Sequence, residues 1–139
     1  MRTGLFFLFA AYLLSQFFRS FLAVMAPVLQ QEIGVGAEDL ALSSGLWFLS
    51  FAVMQLPIGA ALDRFGPRRT AAVLLGLGGA GGAAIFATAT GPMALHLAMT
   101  LIGIGCAPVL MASYFIFARS YPAALFGTLA GAMVGAGSL

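Results

Sequence analysis

The sequence predicts an all-α protein that crosses a membrane several times. Hydrophobic residues make up 62% of the 139 residues, charged residues make up 7%, and the mean hydropathy is +1.07. An ordinary soluble domain carries about 25% charged residues, so this composition excludes that class. The apolar residues also form runs that are long enough, as helices, to span a hydrocarbon core of ~30 Å.

The few charged and reactive residues exclude several functions. All six basic residues are arginines that are dispersed along the chain, so they form no patch for nucleic acid. Cys106 is the only cysteine and His96 the only histidine, and neither has neighbouring residues that would complete a metal site. We interpret both as packing or interfacial residues. No nucleophile and base are paired, so we predict neither an enzyme nor a cofactor.

The first predicted helix covers residues 4–30. Arg2 precedes its apolar core, as in a cleaved signal peptide, but Arg19 stands where such a peptide needs small residues, and the apolar run resumes beyond it. We therefore interpret this segment as an uncleaved spanning helix. Tyr12, Gln16 and Arg19 are spaced i, i+4 and i+7, so their polar groups form one stripe. Inside a membrane this stripe must face protein or a water-filled cavity.

An acidic segment separates the first helix from the second. Residues 31–40 contain glycines and no basic residue, and we predict a loop on the outer side of the membrane. Its three acids are Glu32, Glu38 and Asp39. The second helix is predicted over residues 41–62, with Trp47 near the outer interface.

Glycine and charge are concentrated between the second and third helices. The residues concerned are Gly59, Asp63, Arg64, Gly66, Arg68 and Arg69. Asp63 follows Gly59 by four residues, so both share a helix face, and the bare glycine would let another helix approach the carboxylate. Gly66 and Pro67 are predicted to turn the chain. Three arginines in so short a loop indicate the cytoplasmic side.

The third predicted helix, residues 70–89, is rich in small residues. Gly76, Gly78 and Gly81 match a dinucleotide-binding fingerprint, but that fingerprint needs a later acid to bind the ribose, and none follows. The nucleotide interpretation therefore fails. Gly78 and Gly82 instead predict a close contact with another helix.

The last two predicted helices differ in length. The fourth covers residues 94–118, and Pro108 inside it predicts a kink. Arg119 then follows on the side of the arginine loop, where we expect an ion pair with Asp63. The fifth helix, residues 124–139, would reach about 24 Å, which is less than the hydrocarbon core.

The arginine loop resembles a motif of the major facilitator superfamily. That motif reads glycine, three mostly apolar residues, aspartate, a basic residue, any residue, glycine and further basic residues. The residues that match it are Gly59, Asp63, Arg64, Gly66, Arg68 and Arg69. The preceding run 51–58 is similar to the family's second helix. Ala61 and Pro67 depart from the pattern. The resemblance implies that residues 1–139 are a truncated amino-terminal half of a twelve-helix transporter, an incomplete six-helix bundle whose amino terminus is cytoplasmic.

The resemblance also implies a function. Members are secondary transporters that work by alternating access, so we expect a small-molecule substrate, a bilayer as surroundings, and an inner (plasma) membrane location. Arg19 after two phenylalanines is similar to an arginine of the organic-anion symporters, which implies that Arg19, Gln16 and Tyr12 bind an anionic substrate. Met99 occupies the place of a fourth-helix arginine in relatives, so no role in proton coupling is transferred. Gly59, Asp63, Arg64, Gly66, Arg68, Arg69 and Arg119 would take part in conformational change.

A second interpretation is a self-contained small membrane protein that oligomerises, either as a scaffold or as a small exporter. Small exporters use a glutamate in their first helix, whereas this first helix carries Arg19 and no acid. For the transporter interpretation, we expect that the chain does not transport alone and needs further helices or another copy.

Overall fold

The computed structural model describes residues 2–138, and within that range the chain forms five helices and no strand. They are α1 (Arg2–Glu32), α2 (Ala37–Phe65), α3 (Pro67–Ala87), α4 (Pro92–Ser120) and α5 (Ala123–Gly137). The first four are long and apolar enough to cross a membrane. The predicted all-α, polytopic membrane fold is confirmed.

The turn between α1 and α2 is shorter than predicted. The predicted loop covered residues 31–40, but α1 continues to Glu32 and α2 begins at Ala37, one turn earlier than residue 41. The extension has a local cause, because Gly36 donates its backbone N–H to the Asp39 carboxylate over 3.3 Å. Glu38 and Asp39 therefore lie in the first turn of α2, where negative charge complements the helix dipole.

The glycines of α3 contact α4 directly. A Cβ atom on Gly78 would lie 2.7 Å from the Cα atom of Gly105, and one on Gly82 would lie 2.6 Å from Cγ1 of Ile102. The predicted close contact at Gly78 and Gly82 is confirmed, and its partner is α4. A π-helical turn over Leu75–Ala80 occupies the same part of α3.

The central helix is α4, which packs against each of the other four. Its sequence is dominated by small and apolar residues, so no face needs to meet water. Its buried residues include Leu95, Met99, Ile102, Cys106, Val109 and Phe117. The helix is continuous through Pro108, and the kink at that residue remains a prediction.

The helix directions separate the charges into two ends of the bundle. Ser43 and Gln55 of α2 contact His96 and Ala107 of α4, so α2 and α4 run parallel. The contacts of Gly78 and Gly82 show that α3 runs antiparallel to α4. We call one end the arginine end, defined by Arg64, Arg68, Arg69 and Arg119, and the other the acidic end, defined by Glu32, Glu38 and Asp39.

Candidate functional site

A cavity of about 220 Å³ lies between α1, α2 and α4. Each helix contributes one wall because the three run side by side near the middle of the bundle. The lining residues are Tyr12, Ser15, Gln16 and Arg19 of α1, Trp47, Phe48 and Phe51 of α2, and Cys106 and Leu110 of α4. The cavity therefore combines one cation, several hydrogen-bonding groups and four aromatic rings.

The polar stripe of α1 forms one wall of this cavity. Tyr12, Gln16 and Arg19 were expected to share a helix face, and all three line the same space. Tyr12 is 5% exposed, Gln16 is half-buried, and Arg19 is exposed. Burial therefore decreases along the stripe from Tyr12 to Arg19.

Trp47 is buried among the helices, and its place near the outer membrane interface remains a prediction. Its side chain is 4% exposed and stacks on Phe51, with ring centroids 5.2 Å apart and planes 13° apart. The reason is Gly103 of α4, where an added Cβ would lie 2.5 Å from the Trp47 carbonyl oxygen, so α2 and α4 approach closely. The indole Nε1 is buried and has no hydrogen-bond partner among the described residues. A buried donor without a partner is costly, and this one belongs to a residue of the cavity wall.

At the arginine end, a single residue joins α2 to α3. Gly66 has a φ of +84°, a conformation that favours glycine, and its N–H bonds to the Leu62 carbonyl oxygen over 3.1 Å. Thr70 Oγ1 donates to the carbonyl oxygens of Gly66 and Ala61, over 2.8 and 3.3 Å, which fixes the tight hairpin. Asp63, Arg64, Arg68 and Arg69 are all exposed around this hairpin.

The expected approach of another helix at Gly59 is not seen. A Cβ atom on Gly59 would meet no atom within 4 Å among the described residues. Asp63 is exposed and Gly59 only partly buried, so this face of α2 is free of a helix neighbour in residues 2–138.

The expected ion pair between Asp63 and Arg119 is also absent. The single ion pair within residues 2–138 is the one between His96 and Asp39. The register explains this, because Gln55 of α2 lies beside Ala107 of α4, which places Asp63 about one turn short of Arg119. The Arg119 guanidinium instead lies 4.4 Å from the centroid of the Phe115 ring.

At the acidic end, His96 links two residues of α2. Its Nδ1 lies 2.7 Å from Ser43 Oγ, and its Nε2 lies 3.8 Å from Asp39 Oδ1. We predicted a packing or interfacial role for His96 and missed this network. Asp39 and Ser43 are spaced i, i+4, which was a visible signal, but the partner lies 53 residues further along the chain.

These three residue types also occur in hydrolases, but this arrangement does not expose a nucleophile. Ser43 has no exposed surface, so a substrate cannot reach its hydroxyl group. The network instead connects the first two turns of α2 with the first two turns of α4. Within residues 2–138 no group of three possible ligands could hold a metal ion, and Cys106 is a buried free thiol.

Comparison with known proteins adds a family match. A family model described as the Major Facilitator Superfamily matches residues 8–139. A probable L-galactonate transporter of Escherichia coli (strain K12) is 34% identical over 76 residues, which are 55% of this chain and 16% of that protein. The uncharacterized transporter YybO of Bacillus subtilis (strain 168) is 37% identical over 54 residues, which are 39% of this chain and 12% of that protein.

The matched segments thus span less than a fifth of each curated relative's length. No solved structure gives a significant match.

Proposed function

This chain belongs to the Major Facilitator Superfamily, and we propose that its cavity between α1, α2 and α4 binds a small organic anion within a secondary transporter. Membership points to a transporter of a small solute across a membrane rather than to an enzyme. The observation that carries the proposal is the common cavity of Tyr12, Gln16 and Arg19. In this cavity a cation and several hydrogen-bonding side chains from three helices line one space.

The chemistry of the wall suits a carboxylate. Arg19 carries a planar fork of N–H donors that matches the two oxygens of a carboxylate. Gln16 and Tyr12 lie further along the same helix face, where they can bond to hydroxyl or carbonyl groups of the same solute. The aromatic rings of Trp47 and Phe51 provide an apolar surface opposite. A solute with one carboxylate and a hydroxylated body satisfies all of these groups.

The printed name of one relative agrees with this class. L-galactonate, which that protein is named as transporting, is a carboxylate. We propose for this chain the wider class of small hydroxylated carboxylates, because the cavity offers a cation for the carboxylate and hydrogen-bonding side chains for the hydroxyl groups.

Transport would require more than these helices. We propose that the chain supplies one side of the translocation pathway, and that further helices or another copy supply the opposite side and permit alternating access. The arginine end would then face the cytoplasm and the amino terminus would lie there, following the positive-inside rule in a plasma membrane.

The test uses the only tryptophan of the chain, Trp47, as a reporter in the cavity wall. The full chain in lipid nanodiscs is titrated with L-galactonate and, separately, with galactitol, which has a similar hydroxylated body but no carboxylate. We expect a saturable change of Trp47 emission with L-galactonate only. Arg19→Lys keeps the charge but loses the fork, so affinity should fall about tenfold.

The matched control is Arg119→Lys, at an exposed arginine that does not line the cavity, and its affinity should be unchanged. An equal response to galactitol, or full affinity in Arg19→Lys, would overturn the anion proposal.

A further inference from the structure

Helix α5 packs against α1 beside the polar stripe, although none of its residues lines the cavity of Arg19. The residues of its packed face are spaced i, i+3, i+7 and i+11, so they lie on one side of the helix. They are Phe126, Leu129, Met133 and Gly137. Met133 has no exposed surface and belongs to the same apolar cluster as Tyr12. A helix outside the cavity wall therefore supports the deepest residue of the stripe.

Gly137 brings the backbone of α5 against two residues of the stripe. A Cβ atom on Gly137 would clash with Cε1 of the Tyr12 ring, and it would lie 2.8 Å from Cγ of Gln16 and 3.1 Å from Cδ1 of Tyr12. Ordinary contacts of a Cβ atom begin near 3.4 Å. A residue with a side chain fits at this position only if Tyr12 and Gln16 move, and both of them line the cavity.

The glycine row of α5 does not make this contact. Gly127, Gly131 and Gly135 follow the four-residue spacing that favours close packing of membrane helices. Cβ atoms on these three glycines would nevertheless meet no atom within 4 Å among the described residues. Gly137 lies outside that row and is the glycine of α5 that touches α1. Its two neighbours are cavity residues, so its lack of a side chain bears on the cavity.

The kind of atom near Gly137 separates its role from that of a packing glycine. At Gly105 the three nearest atoms are backbone atoms of α3, whereas at Gly137 they are side-chain atoms of Tyr12 and Gln16. Side chains can rotate to make room for a methyl group. A side chain at position 137 would therefore displace the polar groups of Tyr12 and Gln16 in the cavity, without forcing two helix backbones apart. None of the three nearest atoms belongs to Arg19, so the guanidinium is not displaced directly.

We propose that Gly137 is a positioning residue that sets the preference of the cavity for hydroxylated solutes. The inference rests on the function proposed above, in which Arg19 binds the carboxylate and Tyr12 and Gln16 bind hydroxyl groups. The bare backbone at Gly137 lets the Tyr12 ring and the Gln16 stem lie against α5, and this placement aims their polar ends at the body of the solute. Helix α5 thereby influences which solute is accepted, although it does not line the cavity itself.

The test compares two carboxylates with the same number of carbon atoms, L-galactonate and hexanoate, because hexanoate lacks hydroxyl groups. The full chain in lipid nanodiscs is titrated with each, and Trp47 emission reports binding. Gly137→Ala should lower the affinity for L-galactonate about fivefold, because a hydrogen bond to a hydroxyl group is lost. Its affinity for hexanoate should stay within about twofold of wild type. The matched control is Gly135→Ala, at an exposed glycine of the same helix without neighbours, and both of its affinities should be unchanged.

The outcomes separate this inference from the proposed function. A wild-type chain that does not respond to L-galactonate would overturn both. If the wild type binds, unchanged L-galactonate affinity in Gly137→Ala would overturn the positioning role alone. Equal losses for the two carboxylates would also overturn it, because they would indicate general loosening of the packing between α1 and α5.

A second set of variants tests the route by which Gly137 acts. The double variant Tyr12→Phe/Gln16→Ala lacks both polar ends but keeps Arg19 for the carboxylate. Adding Gly137→Ala to this double variant should leave the ratio of the two affinities unchanged, because no hydrogen-bonding group of the pair remains to be displaced. A further fall of the L-galactonate affinity relative to hexanoate would show that Gly137 acts by another route, and the proposal would be wrong.

Discussion

The contact between α3 and α4 gives the sharpest prediction of stability. Gly105→Ala adds a methyl group that would lie 2.8 Å from the Gly78 carbonyl carbon and 2.9 Å from the Leu74 carbonyl oxygen, with the Gly79 nitrogen closer still. Ordinary contacts begin near 3.4 Å, so the two backbones must separate by roughly half an ångström or more. Backbone atoms cannot rotate away as side chains do, so α3 and α4 have to move apart along the line of contact between them, which we call the α3 seam.

Overpacking of this kind costs about 1–3 kcal/mol, and we expect the middle of that range for Gly105→Ala. The assay is unfolding of the full chain by SDS, followed through the reactivity of Cys106, a buried thiol and the only cysteine. At about 2 kcal/mol, the ratio of folded to unfolded chains falls roughly thirtyfold.

The control for this prediction is Gly76→Ala in α3. A methyl group there meets no atom within 4 Å, so stability should not fall. Wild-type stability of Gly105→Ala, or an equal loss in Gly76→Ala, would refute the argument that backbone contact holds this seam.

Two further predictions concern the acidic end and the topology. Ser43→Ala and His96→Ala should each destabilise the chain by about 1 kcal/mol in the same SDS assay, and the double variant by less than their sum, because the Ser43–His96 bond is lost in all three variants; full additivity would contradict the network. Cysteines introduced at Gly36 and Phe65, both exposed and at opposite ends of α2, should react with a membrane-impermeant maleimide from opposite faces of whole cells, with Gly36→Cys labelled from outside. Labelling of both from one face would refute the proposed topology.

Local sequence signals were sufficient for the helices and for the α3 seam. The apolar runs predicted every spanning helix because a bilayer demands length and hydrophobicity, both of which can be counted along the chain. Glycine spacing predicted the seam because only residues without a side chain permit backbone contact. The stripe of Tyr12, Gln16 and Arg19 follows from the helix period alone, and the structure places all three on one cavity.

The axial register between neighbouring helices could not be predicted from the sequence. The ion pair of Asp63 with Arg119 was expected because both lie near helix ends, yet α2 and α4 are offset by about a turn there. The same register brings His96 to Ser43, a contact that no local pattern reveals. Burial of Trp47 depends likewise on Gly103, which lies opposite it on another helix.

The sequence of α4 explains how one helix can pack against all the other helices of the bundle. Gly103 lies against α2, Gly105 lies against α3, and Cys106 and Leu110 line the cavity, so residues within about two turns of α4 face three different surroundings. A helix packed on all sides has no free face for charge. Accordingly, the one histidine of α4, His96, lies in its first two turns, and its one arginine, Arg119, lies in its last turn. The charged group of the cavity must therefore come from a helix with one open face. In this chain that helix is α1, and the group is Arg19.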